Sequence, residues 1–279
     1  MKLPLSGCEW WSTVDLPTSV SPMSIIQEQL ESKSRIVIRG ADQKIANLFR
    51  SYGGFAIQSG MEAAIDLTNR SKDAITWNRK SNRELKRRAL RYGQVIRHNS
   101  VNTFPSLLEL RQRSVYRDRP ALNRLFLTES DQWCRAYSFD MAGEVVGLLT
   151  LSQRDYRCYH TEILMRALSA PIGTMEALVL SAIEDLINEE AEELSLGECP
   201  FVLSVKPRLQ FHLAEKVMRR TYNSKGLYNF KAKFLPDWRA VYLCSNHRFL
   251  LSVIDLFLAT NVANLLFHNL MGRYLIRTV

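Results

Sequence analysis

Basic residues crowd one short stretch of this 279-residue chain. Arg79, Lys80, Arg83, Lys86, Arg87, Arg88, Arg91 and Arg97 follow one another with only Glu84 opposing them. Arg79, Arg83, Lys86 (or Arg87) and Arg91 recur at i+3 and i+4 spacing, so a helix there lines cations along one face. Arg111, Arg113, Arg117, Arg119 and Arg124 come soon after. Such a column neutralises a phosphate backbone without reading its sequence. The alternative is a solvated face with no partner. A second stretch, Arg166 to Thr174, leaves a strand, turns at Pro171-Ile172-Gly173 and opens a helix. The free N–H groups and positive dipole end of such a helix suit a phosphate, and Arg166 adds a guanidinium fork. A plain strand-to-helix connection reads the same way. The third runs from Lys225 to Phe234, with Lys231, Lys233, Tyr228, Phe230, Pro236 and Trp238. Lysines interleaved with aromatics fit phosphate contact plus base stacking, or an amphipathic edge strand.

The charge balance points the same way as the motifs. Lys and Arg number 37 against 28 Asp and Glu, a formal charge of +9 that suits a polyanion, either nucleic acid or an anionic membrane surface. With 46% apolar and 23% charged residues, the chain is neither disordered, collagen-like nor a polytopic membrane protein. Cys8, Cys134, Cys158, Cys199 and Cys244 form no CxxC, and His98, His160, His212, His247 and His268 no HxxxH. Neither a zinc site nor a disulfide framework is expected, and no cofactor. The stretch Met1 to Gly7 has no apolar run, so no secretory signal is expected.

The elements that must carry these residues read as α+β. Residues 1–34, with Pro4, Pro17, Pro22 and many Ser and Thr, predict a loosely ordered lead-in. Arg35–Arg39 predicts a strand, and Ala41–Tyr52 a helix with Ile45, Leu48 and Phe49 on one face. Phe55–Ile57 and Ala63–Leu67 read as two strands around a turn at Ser59-Gly60. A helix from about Thr76 to Tyr92 ends at Gly93. Then come a helix over Leu107–Tyr116, a hairpin of Cys134–Phe139 and Glu144–Ser152 around Met141-Ala142-Gly143, and a strand over Tyr159–Leu168. Thr174–Glu190 is the most regular helix, with Met175, Leu178, Val179, Ala182, Ile183, Leu186 and Ile187 on one stripe, and Leu194–Gly197 is a buried strand. From Phe249 to Ile276 an i+4 stripe joins Leu250, Ile254, Leu258, Val262, Leu266, Leu270 and Tyr274. Asp255, Asn261, Asn264, His268 and Asn269 interrupt it, leaving open a core helix, a membrane span, or an interfacial helix flanked by Arg248, Arg273 and Arg277.

Six segments in order resemble the C-terminal catalytic domain of the phosphatidylglycerol lysyltransferases, or aminoacyl-phosphatidylglycerol synthases. They are Gly60–Leu67, the basic helix Arg79–Gly93, the Gly143–Gly147 hairpin, Leu164-Met165-Arg166 with Ala170–Glu176, Leu194–Pro200, and Tyr222–Leu227 through Trp238 to Leu243. The resemblance covers residues 35–243 and does not reach the family's multi-helix flippase region. It implies an α+β tandem GNAT-like acyltransferase fold of mixed sheets with flanking helices. The expected boundaries are a lead-in at 1–34, a first, partial unit with the basic helix at 35–105, a second unit at 106–247 and an apolar or amphipathic helix at 248–279. The first unit is expected to be truncated, because the family's G-D-P-x-G segment has no counterpart. Glu176 stands where the family has Asp, and Ile163 where it has an acid.

The family's donor is an aminoacyl-tRNA and its acceptor a hydroxyl of an anionic phospholipid such as phosphatidylglycerol. The donor ester is already activated, so the protein mainly aligns the reactants, accepts a proton and stabilises an oxyanion. By resemblance, Gly173 and Thr174 hold the terminal phosphate of the donor, with Arg166, Lys225, Lys231 and Lys233 lining that site. Arg79, Arg83, Arg87 and Arg91 contact the tRNA, and Glu176 or Glu162 orients the amino group or takes the proton. The implied location is cytoplasmic, peripheral to the inner face of the membrane. Two other readings stand beside it: an acyl-coenzyme A-dependent GNAT acyltransferase, and a catalytically silent nucleic-acid- or membrane-binding module.

Overall fold

The computed structural model describes residues 1–12, 22–68, 79–202 and 224–268. The expected helix start at Thr76, the motif residues Tyr222 and Asn223, and Leu270, Arg273, Tyr274 and Arg277 of the C-terminal stripe lie outside them.

Among the described residues, nine strands form one mixed sheet. In chain order they are β1 (Glu9–Ser12), β2 (Ile36–Ala41), β3 (Phe55–Asp66), β4 (Gln94–His98), β5 (Arg135–Met141), β6 (Glu144–Asp155), β7 (Cys158–Arg166), β8 (Glu193–Pro200) and β9 (Asp237–Ser245). Their spatial order is β1-β2-β9-β3-β8-β7-β6-β5-β4. Only the β1–β2 and β7–β8 pairs are parallel. The helices are α1 (Pro22–Glu31), α2 (Gln43–Ser51), α3 (Lys80–Ala89), α4 (Leu107–Gln112), α5 (Thr174–Asn188), α6 (Ser224–Ala232), α7 (Phe249–Ala259) and α8 (Val262–His268).

The apolar stripe read from the sequence organises the larger core. Leu178, Val179, Ala182, Ile183 and Leu186 of α5 are buried in one cluster with Phe139, Leu148, Leu149, Leu151, Leu194 and Phe234. A smaller cluster sets Ile45, Ala46 and Phe49 of α2, with Ile26 and Leu30 of α1, against Ile36, Ile38 and Cys244. The hairpin forms where expected, with Ala142 (φ 55°) and Gly143 (φ 82°) supplying the two left-handed residues of its turn.

Three expectations change. Phe55 to Asp66 is one twelve-residue strand, not two strands around a turn. Ser59-Gly60 marks a bulge, where the register with β9 shifts between Gln58 and Gly60; a Ser-Gly pair suits a turn and a bulge equally well. Gly60 is needed there, because a Cβ would lie 2.6 Å from the Cys199 carbonyl oxygen. The segment from Lys225 forms a helix, Ser224–Ala232, followed by a turn at Lys233-Phe234, rather than an edge strand. The lead-in is in part ordered: β1 pairs with β2, and Leu3, Cys8 and Trp10 are buried.

The C-terminal stripe divides at a 69° bend between α7 and α8. Asp255, the charge that interrupts the stripe, points inward and is buried. Its carboxylate accepts from the Leu5 N–H at 3.0 Å, the Ser6 N–H at 2.7 Å and the Ser6 hydroxyl at 2.7 Å. Leu250, Ile254 and Leu258 face outward, 71%, 48% and 56% exposed. No single helix among the described residues is long and apolar enough to cross a membrane.

Candidate active site

The site begins with two strands that part. β7 and β8 pair in parallel from Cys158–His160 to Glu193–Ser195 and no further, although both strands continue. Gly197 (φ 82°) bends β8 just beyond the last pair. A cavity of about 360 Å³ lies there, lined by Arg39, Glu62, Arg154, His160, Glu162 and Glu198. The segment Arg124–Thr128, Gln132 and Trp10 close its other walls.

The charged groups at the β7–β8 parting are held by named neighbours. Arg154 donates to Glu62 Oε1 at 2.6 Å, as does the Ser195 hydroxyl at 2.6 Å. Burial pushes the Glu62 carboxyl up, but Arg154 and these hydrogen bonds outweigh it and hold the group below its usual value. Arg39 donates to Glu198 Oε2 at 2.8 Å, and the Ser59 hydroxyl to Oε1 at 3.0 Å. Glu162 differs: Ser152 donates to it at 2.6 Å and the Leu127 N–H at 3.0 Å, and both donors are neutral. Burial drives His160 well below its ordinary value, reinforced by Arg154, Lys231 and Arg39, so the imidazole is neutral at pH 7. His160 Nδ1, Arg154 Nε and Trp10 Nε1 are buried without a hydrogen-bond partner among the described residues. Buried polar atoms in that state around a cavity are open to a ligand's polar groups.

Of the residues singled out in the sequence, Glu162 and the exposed Arg124 line this cavity, and Lys231 sits against it. Lys231 is buried and donates to the Gly197 and Glu198 carbonyls at 2.9 and 3.1 Å, and burial lowers its ammonium below the usual lysine value. It braces the bend in β8, two of its three N–H donors being taken by these carbonyls. Glu176 is buried in the first turn of α5 and paired with Lys233 at 2.7 Å. Arg166 is exposed and donates to the Ala170 carbonyl at 3.3 Å. Gly173 (φ 99°) caps α5, and a Cβ there would lie 2.0 Å from the Leu85 carbonyl oxygen. The glycine is thus demanded by the approach of α3. Thr174 is buried, its hydroxyl donating to the Pro171 carbonyl at 2.8 Å.

Helix α3 turns Asn82 and Ala89 inward, and the Asn82 amide donates to the Lys233 carbonyl at 2.9 Å. Arg79, Arg83, Arg87 and Arg91 are exposed. Arg87 pairs with Glu84 at 2.9 Å and Lys86 with Glu184 of α5 at 2.5 Å. Lys225 is exposed at the start of α6.

Sequence reasoning passed over Arg39, Arg154 and His160 and treated Glu62 and Glu198 only as motif letters. The available signal was a carboxylate inside an otherwise apolar strand, as in Met61-Glu62-Ala63-Ala64-Ile65. A charge at such a position needs a partner, and the partner is distant in sequence.

Residues 24–245 match the family described as phosphatidylglycerol lysyltransferase, C-terminal. Among solved structures, the chain is similar to L-PGS from Bacillus licheniformis, with a TM-score of 0.65 at 17% identity, covering 87% of this chain and 77% of that one. It is also similar to a C-terminal domain from Agrobacterium fabrum described as that of a lysylphosphatidylglycerol synthetase, with a TM-score of 0.63 at 18% identity over 86% and 76% of the two chains. FemX shares the architecture at a TM-score of 0.55 and 9% identity, over 90% and 84%. No curated protein matches the sequence. The structural likenesses establish the fold, and the family match spans most of the chain. The chain therefore belongs to the phosphatidylglycerol lysyltransferase C-terminal domain family and is a transferase of α+β fold, with one mixed sheet and flanking helices.

Proposed function

We propose that this protein transfers an aminoacyl group from an aminoacyl-tRNA to a hydroxyl of a phosphatidylglycerol-type lipid, working peripherally at the inner face of the membrane. The observation that carries this reading is the cavity at the β7–β8 parting, with Glu162 as a buried carboxylate whose donors among the described residues are neutral. An aminoacyl ester brings an α-ammonium and needs no further activation. Glu162 receives that ammonium and orients the ester. The lipid hydroxyl then attacks the ester carbonyl, its proton passing to the tRNA ribose oxygen as the old C–O bond breaks and the new one forms. The exposed arginines of α3 supply sequence-independent contacts to the tRNA backbone. The outward ridge of α7 supplies an apolar surface for the lipid side, with Arg248 at its start.

The test pairs purified protein with charged tRNA and phosphatidylglycerol vesicles, and separately with acyl-coenzyme A. An aminoacylated lipid formed only with charged tRNA is the expected result. A product from acyl-coenzyme A alone would assign the donor to that class instead. Loss of product in both, with nucleic-acid or vesicle binding intact, would make this a binding module. Mass spectrometry of lipids from cells with and without the gene gives the same answer in vivo.

A further inference from the structure

We infer that the aminoacyl group taken into this cavity carries an uncharged side chain. The inference rests on the reading above, and it comes from the balance of charges around the cavity. Three carboxylates line it, Glu62, Glu162 and Glu198, and three arginines, Arg39, Arg124 and Arg154. Glu62 is matched by Arg154 at 2.6 Å and Glu198 by Arg39 at 2.8 Å. His160 adds no charge, because burial and the surrounding cations keep it neutral. Of the three carboxylates, Glu162 is the one with no ion-pair partner among the described residues, and an aminoacyl ester always brings one ammonium of its own. Once that ammonium sits at Glu162, no carboxylate remains for a second.

A lysine or arginine side chain would then approach Arg39, Arg154 and the ammonium of Lys231 with nothing to neutralise it. Like charges brought together in a partly buried site are strongly disfavoured. An acidic side chain meets the opposite problem: Arg124 is exposed and its charge is screened by water, while Arg39 and Arg154 already hold the carboxylates of Glu198 and Glu62. Exchanging either would leave a buried carboxylate unpaired. A neutral side chain disturbs neither pair. The walls add apolar surface from Leu125, Leu127, Val241 and Trp10, which suits a small aliphatic group.

Calorimetry on the full chain with three amides tests this, each presenting the α-ammonium with an amide in place of the ester: alaninamide, lysinamide and the α-amide of glutamate. Alaninamide is expected to bind at least about tenfold more tightly than the other two. Equal or tighter binding of lysinamide or of the glutamate amide overturns the inference, as does binding of none. Arg154→Ala frees the Glu62 carboxylate and Arg39→Ala frees that of Glu198. Whichever variant folds should shift the ratio toward lysinamide by about tenfold, whereas an unchanged ratio counts against the charge balance. A transfer assay with alanyl-tRNA and lysyl-tRNA runs in parallel. No lipid product from either, with the amide preference intact, overturns the transfer reading alone and leaves the cavity's preference standing. Product from lysyl-tRNA in preference to alanyl-tRNA overturns the preference and leaves the transfer reading standing.

Discussion

Glu62 and Glu198 sit directly opposite one another across the antiparallel pair of β3 and β8. Two like charges so placed repel, since opposed side chains on one face are about 4.5–5.5 Å apart at Cβ. The sheet tolerates them because one arginine reaches each: Arg154 from β6 to Glu62, and Arg39 from β2 to Glu198. Four strands thus converge on one electrostatic arrangement. Arg154→Ala is expected to lower stability by roughly 1–3 kcal/mol, below the value for a fully buried pair because the arginine is about a third exposed. The double variant Arg154→Ala, Glu62→Gln should recover part of that loss. A denaturant cycle showing simple additivity would refute the coupling.

The neutral His160 makes the protein acid-sensitive. Its folded value lies well below 6.5, the value for an exposed histidine. The unfolded chain therefore binds a proton that the folded chain refuses. The stability from this site is complete above about pH 6.5 and declines as pH falls below it. His160→Gln should flatten the decline in Tm between pH 7.5 and 5. An identical pH profile in the variant would assign the acid sensitivity elsewhere.

Gly173 should prove a folding position. Its positive φ alone disfavours a side chain by roughly 1–3 kcal/mol, and the Leu85 carbonyl 2.0 Å from any Cβ adds to that. Gly173→Val is expected to give insoluble or strongly destabilised protein. Soluble Gly173→Val of normal Tm that has merely lost donor binding would restore the phosphate-cradling role.

The outward arginines of α3 and the turn that follows it should govern the salt dependence of tRNA binding. Replacing Arg83, Arg87 and Arg91 together is expected to flatten the slope of log K against log salt by about 0.7–0.9 for each phosphate no longer neutralised. Their exposure makes a fall in Tm unexpected. A triple variant with an unaltered slope would make this face merely solvated.

The two faces of α7 should separate cleanly. Leu250→Ser, Ile254→Ser and Leu258→Ser together are expected to abolish co-sedimentation with anionic vesicles while leaving stability within about 1 kcal/mol of the parent. Asp255→Ala should do the reverse. It leaves the Leu5 and Ser6 N–H groups and the Ser6 hydroxyl without their acceptor, at about 1–3 kcal/mol for each buried donor. Vesicle binding that survives the triple substitution would remove α7 from the membrane contact.

Regular local patterns were legible in the sequence, and the long-range ones were not. The α5 stripe, the Met141-Ala142-Gly143 turn and the basic column of α3 are each written within a few residues. Ser59-Gly60 was ambiguous because a turn and a bulge share a composition, and only the neighbouring strands decide. Lys231 and Lys233 looked alike as cations two residues apart. Helical geometry buries the first against β8, while the second follows the helix end and reaches Glu176. The arginine partners of Glu62 and Glu198 lie on other strands, 92 and 159 residues away, where no local pattern points to them.

The place of β9 between β2 and β3 sets a timetable for synthesis. Residues 36–41 leave the ribosome early, yet their inner neighbour comprises residues 237–245. The Asn246 amide seals that junction on the Ser34 carbonyl, 212 residues upstream. At about 5–20 residues per second, the first half waits roughly 10–40 s with two open strand edges. Nascent chains that stop short of residue 237 would hold two unjoined fragments, β1–β2 and β3 through β4, each presenting an edge suited to pairing between molecules. Assembly of this fold therefore falls late in translation, and the interval before β9 emerges is the period in which chaperone protection matters most.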